Sequence, residues 1–146
     1  MHKKFNFFVQ LGRVFKAKMY PVTIDKSVKR SESFQVKTKE VKDGSKVNTD
    51  DGGHIFRNEW NGPSEQINYF PQAKSQNQPP GEWYTMEKFV SQLKNDNPTK
   101  KNDVDVFPDF NGSSKRPIGF EVEVRVDGEL IKLPNNNQTY FPNPKI

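Results

Sequence analysis

Apolar side chains recur at helical spacing in one segment near the middle of the chain. Pro79-Pro80-Gly81 precedes this segment, and the helix-breaking sequence Asn95-Asp96-Asn97-Pro98 follows it. The pattern predicts a helix over Glu82–Leu93, with Trp83 in the protein core. The apolar residues that define its buried face are Trp83, Met86, Phe89, Val90 and Leu93.

Strict alternation of apolar and charged residues marks a second region. It contains Phe120, Val122, Val124 and Val126, and Asp127-Gly128 then precedes Leu130 and Ile131. This pattern is typical of a β-hairpin. Shorter β-prone pieces lie at Tyr20–Ile24 and Phe34–Val41, and a turn is predicted at Lys42-Asp43-Gly44-Ser45. The predicted fold class is α+β, with a small antiparallel sheet and few helices.

The composition favours one loop-rich, aromatic-rich domain over residues 1–146, with residues 1–10 mobile. The chain has 12 Phe, 4 Tyr and 2 Trp, which supply large buried area despite a mean hydropathy of -0.95. It has no cysteine, which excludes disulfides and thiolate metal sites. No segment has the apolar length of a secretory signal or a membrane span. We therefore expect a soluble chain.

Positive charge is concentrated in the first third of the sequence. Residues 1–49 hold 12 Lys or Arg against 4 Asp or Glu, whereas residues 50–146 hold 11 against 14. The basic part suits sequence-independent contact with nucleic-acid phosphates. A solvated basic surface that serves solubility explains the same numbers equally well. Charge alone therefore does not decide between these readings.

Any imidazole chemistry in this chain falls to His54, because the other histidine, His2, lies near the terminus. His54 follows Asp50-Asp51-Gly52-Gly53, whose glycines permit close approach of the backbone to a ligand. A histidine titrates near neutral pH and can accept a proton from water. A hydrogen-bonded histidine beside a turn is the alternative interpretation.

Several ordered pieces resemble the DNA/RNA non-specific endonuclease family of His-Me finger (ββα-metal) nucleases. Weaker similarity extends upstream to Leu11-Gly12-Arg13-Val14 and downstream to Phe141-Pro142-Asn143, so it covers nearly the whole chain. The bacterial subgroup found in polymorphic toxins is the most similar. The main pieces are Asp51-Gly52-Gly53-His54-Ile55, Gly62-Pro63, Ile67-Asn68-Tyr69-Phe70-Pro71-Gln72, Asn77, Gly81-Glu82-Trp83 and Glu87.

The resemblance implies a ββα-metal core and a phosphodiester hydrolase that cuts DNA, with RNA as an open alternative. His54 would be the general base, and Asn77 the direct ligand of Mg²⁺, which prefers oxygen and keeps several waters. Mn²⁺ could substitute. Glu87 would reach the metal through water, although a solvated helix glutamate is its plain alternative. Three further residues would support the site: Asp51, Asn68 and Gln72.

Position 52 is a glycine where many relatives carry an arginine that contacts the phosphate. Another cation must then stabilise the transition-state charge, and guanidinium groups bind phosphate oxygens well. Arg57 is the first candidate, followed by Lys115 and Arg116 as substrate-binding residues. Each of them could equally be a surface charge.

Two functional classes remain open from the sequence. The first is a non-specific endonuclease, either a toxin domain blocked by a cognate immunity protein or a scavenging nuclease. The second is a degenerate nuclease-like module that binds nucleic acid or a protein without cutting, which Gly52 favours. Relatives usually continue upstream, so the N-terminus is predicted to be truncated. Location is open between delivery to a target cell as part of a larger toxin and the cytoplasm.

Overall fold

The computed structural model describes residues 5–25 and 50–144. Its helices are α1 (Lys74–Asn77), α2 (Glu82–Asp96) and the short α3 (Pro134–Asn137), in which Asn135 and Asn136 have left-handed backbone angles. Single 3-10 turns occupy Asn58–Trp60 and Gln66–Asn68. The described strands are β1 (Phe5–Gln10), β2 (Arg13–Met19), β3 (Asp50–His54), β4 (Tyr69–Ala73), β5 (Asn102–Asp109), β6 (Gly119–Val126), β7 (Glu129–Leu130) and β8 (Tyr140–Pro142).

Six of these strands form one antiparallel sheet in the order β1-β2-β5-β6-β7, with β8 also paired to β6. Side chains alternate between its faces. On β5, Val104 and Val106 are buried in the core, whereas Asp103 and Asp105 lie on the opposite face. The large sheet therefore supplies one continuous apolar wall.

The remaining two strands, β3 and β4, pair with each other, from Asp50 opposite Ala73 to His54 opposite Tyr69. We call β3, β4, α1 and α2 the finger. Aromatic rings join it to the large sheet: Trp83 of α2 contacts Phe120 of β6, with centroids 5.1 Å apart, and Phe70 of β4 lies 4.4 Å from Phe120. Aromatic pairs at these separations add to the stabilisation from burial.

The fold class is confirmed, as are the two strongest element predictions. Helix α2 covers the predicted span and continues to Asp96, and Trp83 is fully buried. The hairpin turns at Asp127 and Gly128, whose φ angles of 49° and 84° suit the tight connection predicted there. None of the described helices is long and apolar enough to cross a membrane.

Other expectations differ from the structure. Tyr20–Ile24 is not a strand: β2 ends at Met19, Pro21 lacks a backbone donor, and Val22 makes a single backbone bond to Asn102 rather than a ladder. Residues 5–10, expected to be mobile, form β1. The predicted strand at Phe34–Val41 and turn at Lys42-Asp43-Gly44-Ser45 lie outside the described residues.

Candidate active site of the finger

His54 is the last residue of β3 and is 4% exposed. The residue before it, Gly53, lies beneath the side chain of Gln72 on β4, and a Cβ at Gly53 would overlap that side chain. Tyr69 faces His54 across the strand pair, with ring centroids 6.3 Å apart. The imidazole is therefore held at a strand end by close packing from β4.

Glu87 of α2 carries the acidic group beside His54. Its Oε2 lies 3.9 Å from Nδ1 of His54, and both side chains are almost fully buried. That separation is longer than a hydrogen bond but within ion-pair range. An imidazolium formed at His54 would thus lie next to a carboxylate in a site of low water content.

Asn77 is held by the carboxylate of Asp51 on strand β3. It ends α1, and its Nδ2 donates to Oδ2 of Asp51 on β3 at 3.0 Å. Gln78 Nε2 donates to the same oxygen at 2.8 Å. Because Asp51 binds the amide nitrogen of Asn77, the carbonyl Oδ1 of Asn77 is the atom that can act as an oxygen ligand.

The position of Asn77 relative to Glu87 depends on Gln76, which the sequence did not single out. Gln76 is buried; its Oε1 accepts from the backbone N–H of Trp83 at 3.1 Å, and its Nε2 donates to Glu82 at 3.1 Å. The bond from Trp83 N–H to Gln76 Oε1 satisfies a backbone donor in the first turn of α2. Gly81 permits the contact, since a Cβ there would overlap the carbonyl oxygens of Ser75 and Gln76. Helix α1 is thereby attached to the start of α2.

Asn68 holds the loop that follows His54. Its Oδ1 accepts from Phe56 N at 2.9 Å, and its Nδ2 donates to the carbonyls of Phe56 and Pro63 at 2.8 and 3.1 Å. The three support residues named from the sequence therefore have distinct contacts: Asp51 holds Asn77, Asn68 holds this loop, and Gln72 packs over Gly53.

The structure corrects the expectation that Arg116 binds substrate. Its side chain is 1% exposed, and its Nε and Nη2 each donate to Asp50 of β3 at 2.8 Å. The carbonyls of Asn143 and Pro144 accept from Nη1 and Nη2 at 2.7 and 3.1 Å. Its donors are thus engaged within the protein, and burial keeps the guanidinium from a phosphate.

The two remaining cation candidates lie in different places. Arg57, with a side chain 16% exposed, lies 3.5 Å from Glu59 and lines a cleft of about 260 Å³ beside Tyr84 and Lys88 of α2. Lys115 is exposed at the border of a second cavity, between the large sheet and β4. Arg57 is thus on the α2 side of the finger, whereas Lys115 is on the side of the large sheet.

The donors near the finger fit a hard, oxygen-preferring cation. Among the described residues, no group of three or more His, Asp or Glu side chains could hold a metal ion. Zinc usually needs three or four nitrogen, sulfur or carboxylate ligands. Magnesium retains several waters and can be held by one or two protein oxygens. Asn77 Oδ1 is an oxygen of this kind at the end of α1, and Glu87 lies on the next helix, α2.

Strand β3 ends in a histidine and pairs with β4, and an asparagine and a helix that carries a glutamate follow; this is the arrangement of the ββα-metal fold. A family model for DNA/RNA non-specific endonucleases matches residues 9–128. The chain belongs to the DNA/RNA non-specific endonuclease family.

Solved structures share the fold. NucA from Streptococcus agalactiae with magnesium bound has a TM-score of 0.68 and 17% identity, over 95% of this chain and 70% of NucA. The Sda1 nuclease with bound zinc has a TM-score of 0.66 and 15% identity, over 97% of this chain and 74% of Sda1. Both proteins were thus solved with a divalent metal.

A curated relative extends the similarity to a secretion system. The type VII secretion system protein EssD of Staphylococcus aureus (strain USA300) is 34% identical over 83 residues, which is 55% of this chain. The match covers only 13% of EssD. The chain therefore spans a small part of that relative.

Proposed function

We propose that this chain is a magnesium-dependent endonuclease that hydrolyses DNA, and RNA as a second substrate, with little sequence preference. One observation carries the proposal: His54 lies 3.9 Å from Glu87, while Asn77 is held by Asp51 in the same finger. A purely binding surface has no need of a base beside a carboxylate and an oriented amide oxygen.

In this mechanism His54 accepts a proton from the attacking water. The Glu87 carboxylate stabilises the resulting imidazolium, and Asn77 Oδ1 would hold the divalent cation. When bound, that cation supplies positive charge to the scissile phosphate and the leaving 3′-oxygen. Arg57 adds positive charge from the side of α2. The products carry 5′-phosphates, as the family resemblance implies.

Plasmid cleavage tests this proposal. We expect wild-type protein to nick and linearise supercoiled plasmid with Mg²⁺ or Mn²⁺ and to lose this activity in excess EDTA. His54→Ala should lower the rate at least about 100-fold, because general-base catalysis contributes roughly 10²–10⁴-fold. Asn77→Ala should weaken metal binding, measured as the Mn²⁺ signal in electron paramagnetic resonance.

Asn6→Ala is the matched control for Asn77→Ala, because Asn6 is an exposed asparagine on β1, outside the finger. It should keep wild-type cleavage and Mn²⁺ binding. If folded wild-type protein binds plasmid but cuts it with neither metal, the enzyme proposal fails and the degenerate binding module replaces it. A reproducible ladder of discrete fragments from mixed-sequence DNA would contradict the low sequence preference.

Similarity to a type VII secretion system protein favours a toxin role over scavenging. We propose that the nuclease domain acts as an effector in a target cell and that an immunity protein protects the producer. The same His54→Ala variant tests this role. Cytoplasmic expression of wild-type protein should stop bacterial growth and that of His54→Ala should not, whereas equal growth of both strains would oppose the toxin role.

A further inference from the structure

A cavity of about 360 Å³ lies between the large sheet and the finger. We call it the aromatic cavity and define it by Ile55, Tyr69, Phe70, Phe110, Pro117 and Phe120. Its walls are mainly apolar. Cavities of this size and character take small flat ligands with an apolar body.

The aromatic cavity begins next to the proposed catalytic histidine. Ile55 follows His54 in the chain, and Tyr69 is its cross-strand partner, with ring centroids 6.3 Å apart. The cavity therefore borders the strand pair that ends at His54, where groups attached to a bound phosphate could enter it. In a nucleic acid, the nearest such groups are the adjacent sugar and base.

The border of the cavity is basic and already ordered. The Arg13 guanidinium lies over the Phe110 ring, 4.7 Å from its centroid. Arg13 also donates to the carbonyls of Gly112 and Ser114 at 2.7 and 3.2 Å, which fixes its plane. Exposed Lys115 lines the same cavity. Unpaired bases stack on aromatic rings and on guanidinium planes, and phosphates bind to the cations beside them.

We infer that the aromatic cavity binds an unpaired nucleobase next to the scissile phosphate, with Arg13 and Lys115 near the backbone. An apolar, aromatic wall beside two cations complements a flat base linked to an anionic phosphate. A paired base would first have to leave its stack and lose its pairing, which opposes binding. The enzyme therefore prefers single-stranded or locally unpaired nucleic acid over intact duplex. This inference rests on the proposed nuclease function.

Binding measured without cleavage tests the inference. The probes are a fluorescent 12-nucleotide single strand of mixed sequence, as DNA and as RNA, the same DNA as duplex, and an abasic strand of equal length. Fluorescence anisotropy in EDTA gives the dissociation constants. We expect wild-type protein to bind the single strands at least about fivefold more tightly than the duplex or the abasic strand, because stacking contributes roughly 1–3 kcal/mol per base.

Phe110→Ala should weaken single-strand binding about tenfold and leave abasic binding unchanged. Phe110→Leu keeps apolar volume and removes the π-face, so it should show the same loss if the fold is intact. Phe8→Ala is the control: its ring lies beside Lys16, 5.6 Å from Nζ, it is 43% exposed, and it does not line the cavity. Phe8→Ala should bind like wild type.

If wild-type protein bound the mixed-sequence single strand and the abasic strand with equal affinity, the inference would be overturned. Unchanged single-strand binding by both Phe110 variants would also overturn it. These results are independent of the plasmid assay, because His54 and Asn77 are unchanged in every variant. If the protein cuts plasmid but binds the abasic strand as tightly as the normal strand, only the cavity inference fails. If it prefers the normal strand but never cuts plasmid, the enzyme proposal fails, and the cavity remains a base-binding site without a scissile phosphate beside it.

Discussion

Single residues of the finger depend on partners that lie far away in the sequence. His54 and Asn77 could be proposed from ordered motifs, because the motif preserves their chemical types. Gln76 was missed, since a glutamine that bonds a helix N–H seven residues later has no local signature. Arg116 was misassigned because sequence does not reveal burial, and its partner Asp50 is 66 residues away.

The close contact between Gly53 and Gln72 leads to a prediction at this scale. Gly53→Ala should lower the free energy of unfolding by about 1–3 kcal/mol, since overpacking in a filled core costs that much. Urea denaturation followed by tryptophan fluorescence measures it. In Gly53→Ala/Gln72→Ala the two losses should be less than additive, because the smaller side chain at 72 removes the overlap. Strict additivity would show that the two positions do not interact.

The sequence predicted those helices and strands that have a clear hydrophobic periodicity or a recognisable turn sequence. Helix α2 and the β6–β7 hairpin have clear periodicity, but the β1–β2 hairpin turns at Leu11 and Gly12, with φ angles of 53° and 74°. A leucine rarely adopts such an angle, so no turn signal was visible. Strand β5 was missed because Asp103, Asp105 and Pro108 are atypical of a central strand.

Asp103 on strand β5 should make the stability of the protein depend on pH. Burial raises the pKa of Asp103, neighbouring Asp105 raises it further, and the Lys18 ammonium opposes the change. An acid whose pKa is raised on folding contributes stability below its unfolded value of about 3.8, and this contribution is lost as pH rises through the folded pKa. Ionised Asp103 is therefore unfavourable at neutral pH.

Asp103→Asn should accordingly raise the melting temperature at pH 7 by on the order of 1–3 °C. The gain should shrink as the pH is lowered and vanish below about pH 3.8. Thermal unfolding followed by circular dichroism across this range measures it. Glu129→Gln, at an exposed glutamate, provides the reference for removing one charge. A lower melting temperature for Asp103→Asn at pH 7 would mean that the neighbouring cations dominate.

At the scale of the whole molecule, a latch joins the finger to the large sheet. We give this name to Asp50, Arg116 and Asn143. Asn143 Oδ1 accepts from Ala73 N at 2.7 Å, and its Nδ2 donates to the carbonyls of Pro71 and Pro117. How the finger sits on the sheet could not be predicted, because these contacts join segments with no shared local pattern.

Substitutions in the latch should destabilise the protein while leaving His54, Asn77 and Glu87 of the proposed site in the sequence. Arg116→Ala leaves Asp50 charged and buried, which should cost about 3–5 kcal/mol of unfolding free energy. Urea denaturation measures the loss, and Lys115→Ala, at the exposed neighbour, should change stability by less than about 0.5 kcal/mol. If Arg116→Ala is as stable as wild type but fails to bind nucleic acid, the structural assignment of Arg116 is wrong.

The position of Asn143 bears on the order in which the parts of this fold form during synthesis. It is synthesised 70 residues after Ala73, the residue whose backbone N–H it accepts from. His54, Asn77 and Glu87 all precede β5, β6 and β8, the later strands of the large sheet, in the chain. Contacts between such distant segments form late. The nascent chain thus carries His54, Asn77 and Glu87 of the proposed site before the strands that complete the scaffold exist.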